Sequence, residues 1–375
     1  MRFSDIHGHE TIKQQLASLV DSGRIPHALL LQGKQGVGKF ALARAMAQYI
    51  HCENRSGGDS CGVCPSCIQH RSFNHIDTFF SYPVVKRKSS SSAPVSDDYS
   101  EEWQEFLRQD MYMDPANWLR QLGNPTTIPV IYVTESDDLL HKLSFTSHHS
   151  RYKIVLMWLP EKMNEQCANK MLKLIEEPAD DTLFILTSNT PGEILPTIYS
   201  RCQRVEVSRL TDEEVADYMT EKMGIERSEA LSISHNAEGS VTEAVRQLSI
   251  ADESKLFLAK FIELMRLAYQ RKIVDLRKWS MEVSEMSREQ QLAFLRYCTR
   301  LMRENFIYNL HDSRLNYMNN AENAFSAKFS PFINERNVVR LVNSFDNALT
   351  DIAGNTNPKM VFFDIAIRVI LLLKS

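Results

Sequence analysis

No stretch constrains this chain more than Gly33-Lys34-Gln35-Gly36-Val37-Gly38-Lys39, which fits G-x-x-x-x-G-K. An apolar run, Ala28 to Leu31, precedes it. Gly38 to Ile50 follows, with Leu42, Met46 and Tyr49 at helical spacing. Strand, glycine-rich loop and helix is the setting in which backbone N–H groups converge on phosphate oxygens, with a lysine reaching the outer phosphates. Gly33, Gly36, Gly38 and Lys39 are therefore candidate nucleotide-binding residues. The next position calls for a Ser or Thr hydroxyl on Mg²⁺, and Phe40 stands there. The fold reading survives that loss. For nucleotide binding, an empty glycine turn is about as good a reading.

A phosphate-loop ATPase also needs acids at the end of a neighbouring strand, to hold Mg²⁺ and orient the attacking water. The apolar strand Lys153 to Met157 leads into Trp158-Leu159-Pro160-Glu161, so Trp158 and Leu159 replace the two carboxylates. A slip that brought Glu161 into place would turn the strand's buried face outward. Two independent losses predict negligible hydrolysis by this chain, because charge stabilisation is most of what such an enzyme supplies.

Further apolar strands are expected at Val130–Val133 and Leu183–Thr187, with a helix before the latter that Asn164 caps and Pro178 follows. Strands alternating with helices imply an α/β fold, a parallel sheet covered on both faces. Thr211-Asp212-Glu213-Glu214 opens a helical region, and Leu256 to Leu373 contains no convincing strand. A length of 375 residues suits two or three domains, with boundaries near Ser208 and Ala251. Met360 to Leu373 is too short to span a bilayer and carries Asp364 and Arg368, so it reads as a buried helix. No apolar leader opens the chain, so it is placed in the cytoplasm with no membrane partner. A net charge of −4 argues against a chain that grips DNA alone. Residues 83–125 read as an insertion: a polar loop, then a helix within Trp103–Leu119, with no function assigned. Its Lys86-Arg87-Lys88 triplet reads as solvated loop charge in preference to a nucleic-acid contact.

Four of the seven cysteines fall within Cys52 to Cys67. Cys52, Cys61, Cys64 and Cys67 give C-x₈-C-x₂-C-x₂-C, and four thiolates suit a tetrahedral, structural Zn²⁺ with no open position. His51, His70 and His75 are nearby substitutes. Cys167, Cys202 and Cys298 read as buried thiols.

These residues resemble the bacterial clamp-loader subunits, an AAA+ family. Gly23-Arg24-Ile25-Pro26-His27-Ala28 leads into the loop, and the cysteine cluster lies directly behind the loop helix. Lys162-Met163-Asn164, Asn169, Leu172-Lys173 and Ile175-Glu176-Glu177-Pro178 are similar to the family's next helix. Thr187-Ser188-Asn189 stands at its sensor-1 place. Pro196 to Gln203 carries the family's Ser-Arg-Cys as Ser200-Arg201-Cys202. The likeness is tightest over 1–70 and 150–210. It implies an AAA+ domain over 1–208 with a zinc module at 52–67, a small helical lid domain over 209–251 and an all-α collar domain over 252–375.

Degraded ATP motifs beside an intact Ser-Arg-Cys are similar to the family's delta-prime branch. That branch implies a non-hydrolysing subunit of the DNA polymerase III holoenzyme, a DNA polymerase (nucleotidyltransferase) complex. The subunit would help load the sliding clamp on primed DNA beside gamma/tau and delta subunits. Arg201 would then be an arginine finger given in trans to a neighbour's ATP site. Two departures stand out. Thr242 falls where ATPase members place a sensor-2 arginine, and the insertion is longer than the family leads one to expect. The alternatives are a gamma/tau-type ATPase, which would need acids at Trp158 and Leu159, and a zinc-containing nucleic-acid-binding module on a phosphate-loop fold, which would need a basic surface.

Overall fold

The computed structural model describes residues 1–86, 92–123, 127–147, 150–179, 181–309 and 318–373. Residue contacts divide the chain into two compact units, Met1–Leu248 and Ser249–Ser375. Arg87 and Lys88 of the basic triplet, and Ser89 to Ser91 of the serine run behind it, lie outside the described residues.

The first unit is built on a parallel sheet. Its strands are β1 (Ala28–Gln32), β2 (Thr78–Ser81), β3 (Lys153–Trp158), β4 (Thr182–Ser188) and β5 (Gln203–Glu206), in the order β2-β3-β4-β1-β5. Side chains alternate between faces as period-two geometry requires. Leu29, Leu31, Ile154, Leu156, Leu183 and Ile185 enter one core. Ala28, Leu30, Val155, Met157, Phe184 and Leu186 enter the other. Because both faces are covered, β3 and β4 are buried along their whole length.

Two expectations need correction. Val130–Val133 is not a sheet strand: Val130 forms an isolated bridge to Val84, Ile131 one to Met163, and Val133 already opens helix Val133–Ser144. The helix expected within Trp103–Leu119 is two helices, Ser100–Gln109 and Pro115–Gln121. Pro115 starts the second, and Asp114 caps it by accepting from the Ala116 N–H at 2.9 Å. Strands β2 and β5 were not anticipated.

Helix Lys39–His51 fills the inner face of the sheet, and all of its residues are buried. Helix Glu165–Glu176 begins as expected, with Asn164 accepting from the Cys167 N–H at 2.8 Å. Helices Asp212–Met223 and Arg227–Ala237 enclose a small core of their own, and Thr211 and Glu214 form a reciprocal cap on the first. Among the described residues, every element after β5 is helical.

The second unit is all helical. Helix Arg288–Tyr308 packs along Val338–Ala353, and Ile273–Ser284 along Pro358–Leu372, around Phe261, Trp279, Phe294, Phe345 and Phe362. Among the described residues, no helix is long and apolar enough to cross a membrane.

Candidate functional site

In the first unit the C-terminal strand ends bring the candidate residues together. Gln32 pairs with Ser188, and Trp158 with Thr187. The glycine loop leaves β1, and the Trp158-Leu159 turn leaves β3, at the same edge. Crevices at that edge are where parallel sheets bind ligands.

The loop is closed in on several sides. A Cβ on Gly33 would lie 2.3 Å from the Val207 carbonyl oxygen, and one on Gly36 would lie 2.2 Å from Thr242 Oγ1. The Val241 N–H donates to the Gly36 carbonyl at 2.9 Å. Gly38 caps the helix with φ 91°, and a Cβ there would meet the Tyr112 ring at 3.2 Å. Lys39 is buried and donates to the carbonyls of Gly33, at 2.9 Å, and Lys34. Burial pushes its ammonium down to about 8, against the opposing pull of Glu161 and Glu206.

The two positions that would ligate Mg²⁺ are apolar and joined. Phe40 meets Trp103 edge-on at 5.7 Å, and Trp158 lies 5.5 Å from the same indole. Trp103 also stacks on Tyr82 at 3.8 Å, and Phe106 and Trp118 close the cluster. Trp103, Phe106 and Trp118 all come from the insertion. Trp118 is anchored by its indole N–H, which donates to the Pro83 carbonyl at 2.7 Å. Sequence reasoning left this segment without a role. The available signal was its aromatic content, since it holds two of the chain's four tryptophans.

Glu161 lies near enough to act on the Lys39 charge, but its Oε1 is engaged by the next turn. It accepts from the Asn189 N–H at 2.9 Å and the Thr190 N–H at 3.3 Å, holding the turn after β4. Register pairs Trp158, not Glu161, with β4. Leu159 makes the intervening turn in the left-handed region, at φ 57°.

Arg201 follows the short helix Pro196–Tyr199 and is part-exposed. It donates to the Thr197 carbonyl at 2.8 Å and pairs with Glu176 at the end of helix Glu165–Glu176. Its neighbour Cys202 is buried and donates its thiol to the Ile198 carbonyl at 3.3 Å.

At the far end of helix Lys39–His51, the sulfurs of Cys52, Cys61, Cys64 and Cys67 lie within 4.8 Å of one another. Cys61 and Cys67 are 3.9 Å apart. Four thiolates about 2.3 Å from one tetrahedral ion would stand roughly 3.8 Å apart, so the donor set fits zinc. The Cys61 N–H points at Cys52 Sγ (3.2 Å) and the Cys64 N–H at Cys61 Sγ (3.4 Å), the outer-shell bonds that orient thiolate ligands. Backbone N–H groups of Val63 and Cys64 pull the Cys61 thiol down to about 6, while burial pushes the Cys52 and Cys67 thiols up, so the case for a metal rests on the sulfur spacing. Asp59 ties the module to the chain's first turn, accepting from the N–H groups of Phe3 (2.9 Å) and Ser4 (3.0 Å).

His51, His70 and His75 form a separate buried stack, with ring centroids 4.2 Å and 4.5 Å apart. The His51 Nε2 bonds the Tyr152 carbonyl at 2.9 Å. His51 Nδ1 and His70 Nε2 are hydrogen-bonded at 2.9 Å, and ring nitrogens of the three histidines lie within 4.8 Å of one another, a second donor group apart from the four sulfurs.

Known proteins bear on this arrangement. A family model described as DNA polymerase III, delta subunit, matches residues 8–211, more than half of the chain. The delta' subunit of DNA polymerase III from Yersinia pestis is 31% identical over 50% of this chain and 44% of its own length. The delta' subunit from Haemophilus influenzae is 28% identical over 59% of this chain and 54% of its own. The tau subunit from Escherichia coli is 24% identical over 67% of this chain and 33% of its own. The chain thus spans between a third and about half the length of these curated relatives. By the extent of the family match, this chain belongs to the DNA polymerase III delta-subunit family of AAA+ clamp-loader proteins.

Proposed function

We propose that the chain is a delta-prime-type, non-hydrolysing subunit of the bacterial clamp loader, working in the cytoplasm within the DNA polymerase III holoenzyme. One observation carries this reading. Both positions that should ligate Mg²⁺ are aromatic, Phe40 and Trp158, and both are packed against Trp103. A metal–phosphate complex would have to displace that cluster and surrender its own hydration to apolar walls.

The remaining assignments follow from it. Residues 1–208 serve as a nucleotide-binding-like frame, 209–251 as a helical lid and 252–375 as a helical collar that joins other subunits. Gamma/tau and delta are the expected neighbours, with the sliding clamp and primed DNA reached through the complex. Cys52, Cys61, Cys64 and Cys67 hold a structural zinc, supported by their sulfur spacing and N–H···S bonds. Arg201 is the arginine finger, supported by its part-exposure at the end of Ser-Arg-Cys.

A gamma/tau-type ATPase is the second reading, because the match to the E. coli tau subunit extends over more of this chain than the matches to the delta' subunits. It is disfavoured by Phe40, Trp158, Leu159 and Thr242 together.

Steady-state ATP hydrolysis by a reconstituted loader separates the two. The chain alone is expected to be inert, and Arg201→Ala to slow the complex by up to roughly 10³-fold, since trans-acting arginines in other phosphoryl-transfer systems contribute that much or more. Hydrolysis by the purified chain, or a complex indifferent to Arg201→Ala, would overturn the reading.

A further inference from the structure

The glycine loop, the inserted segment and the helices after β5 meet at one point, and Tyr112 is that point. Its ring lies on Gly38 at the N-terminus of helix Lys39–His51, where an anion would otherwise collect the free N–H groups. The same ring meets Tyr218 edge-on at 4.8 Å and joins the core of Leu210, Val215, Met219 and Val241. Two residues on, Asp114 accepts from Gln35 of the loop at 3.2 Å. The turn that presents these residues is fixed by Asp110, whose carboxylate accepts from the N–H groups of Tyr112 (3.0 Å), Met113 (2.8 Å) and Asp114 (3.0 Å).

We infer that the inserted segment is a built-in replacement for nucleotide: Trp103 fills the metal's place, Tyr112 covers the phosphate place, and together they join the loop to the helices of 212–248 without ATP. In a nucleotide-binding relative of this architecture, the ligand would make that connection by touching the loop and the helices at once. Here protein atoms touch both. Of the loop's two lysines, Lys39 is already committed to the carbonyls of Gly33 and Lys34, and Lys34 pairs with Glu238. Admitting ATP would require unstacking Trp103 from Tyr82 and lifting Tyr112 off Gly38. The connection is therefore permanent, and the helices of 212–248 hold one position whether ATP is present or not.

Being read from packing, the inference stands apart from Arg201. A chain that takes no nucleotide, in a loader indifferent to Arg201→Ala, would keep it and lose the function proposed above.

The test uses the full chain, a fluorescent methylanthraniloyl-ATP with Mg²⁺, and hydrogen exchange read by mass spectrometry. The unaltered chain is expected to show no saturable binding up to about 1 mM nucleotide. Exchange in Asp212–Met223 should not respond to ATP. Tyr112→Ala is expected to raise exchange by about tenfold both at residues 39–42 and in Asp212–Met223, because both lean on one ring. If Tyr112→Ala does not fold, Tyr112→Leu supports the same comparison. Saturable binding to the unaltered chain below about 1 mM would overturn the inference. So would a Tyr112 variant whose added exchange stays within residues 110–123.

Discussion

Helix Lys39–His51 meets Tyr112 and Trp103 at its N-terminal end, where the loop before it touches the turn at Ser240-Val241-Thr242. At its C-terminal end it hands Cys52 to three other cysteines. Both ends carry sites that a sequence motif marks. At the first, aromatic side chains pack against the loop helix, and Lys39 bonds backbone carbonyls. At the second, four donors converge at metal spacing with their N–H partners set. A motif therefore says where a ligand could go. Whether the site is still open depends on what the rest of the chain puts there.

Three measurements would break or sharpen this contrast. The largest effect is expected at the cysteine end. Stripping metal with a chelator, or making Cys64→Ser, should cost more than about 5 kcal/mol, since binding free energy at such a site is folding free energy. Metal content by mass spectrometry should fall from one zinc per chain, and the melting midpoint should fall with it. An unchanged midpoint would make both ends alike, each closed by protein alone.

The next effect is at the loop end. Trp103→Ala should cost about 3–5 kcal/mol by urea denaturation, the range for a buried aromatic truncated to Ala. Trp103→Phe should cost well under half of that. The ring contacts survive in part, and the lost indole N–H has no hydrogen-bond partner among the described residues. Equal costs for the two variants would mean that the ring's packing on Phe40 and Trp158 contributes little.

The smallest effect is a pH dependence. Lys39 titrates near 8 when folded and near its ordinary 10.5 when unfolded. The unfolded chain therefore holds more protons between those values, and stability rises with pH across that window. The penalty is complete below pH 8 and relieved as pH rises toward 10.5. Lys39→Met lacks it. Its advantage over the unaltered chain should shrink by about 2 kcal/mol between pH 7.5 and 9.5. A constant difference would mean that the buried amine stays charged and well served by its carbonyls.

The sequence made some of this readable. The strand–loop–helix unit, β3, β4, and the caps at Asn164 and Thr211 follow from apolar runs and side-chain oxygens placed just before helices. Strand β5 was missed because only Val205 of its residues is buried, so it carries no alternating apolar signal. Strand β2 begins and ends on hydroxyl residues, Thr78 and Ser81. Val130–Val133 misled because its apolar residues pack as a connection and a helix start, and nothing in their order distinguishes that from a strand. The cysteine cluster was legible because all four donors lie close in sequence. The occupied loop was not. Phe40, Trp103 and Trp158 are far apart along the chain and meet only through the sheet. A hint existed: where acids and a hydroxyl are lost to large aromatics, some other aromatic must cover them.

The Arg201–Glu176 ion pair has a consequence for assembly. If Arg201 serves a neighbour as proposed, it is, in the lone chain, already engaged by Glu176. A part-exposed pair of this kind holds about 0.2–1 kcal/mol, so Glu176 withholds the guanidinium by roughly 1.5- to 5-fold. That is too weak to block a neighbour bearing a triphosphate, yet enough to keep the side chain from wandering. On that proposed role, Glu176 would act as a holster, storing the arginine in a defined pose and yielding it to the first stronger anion that docked.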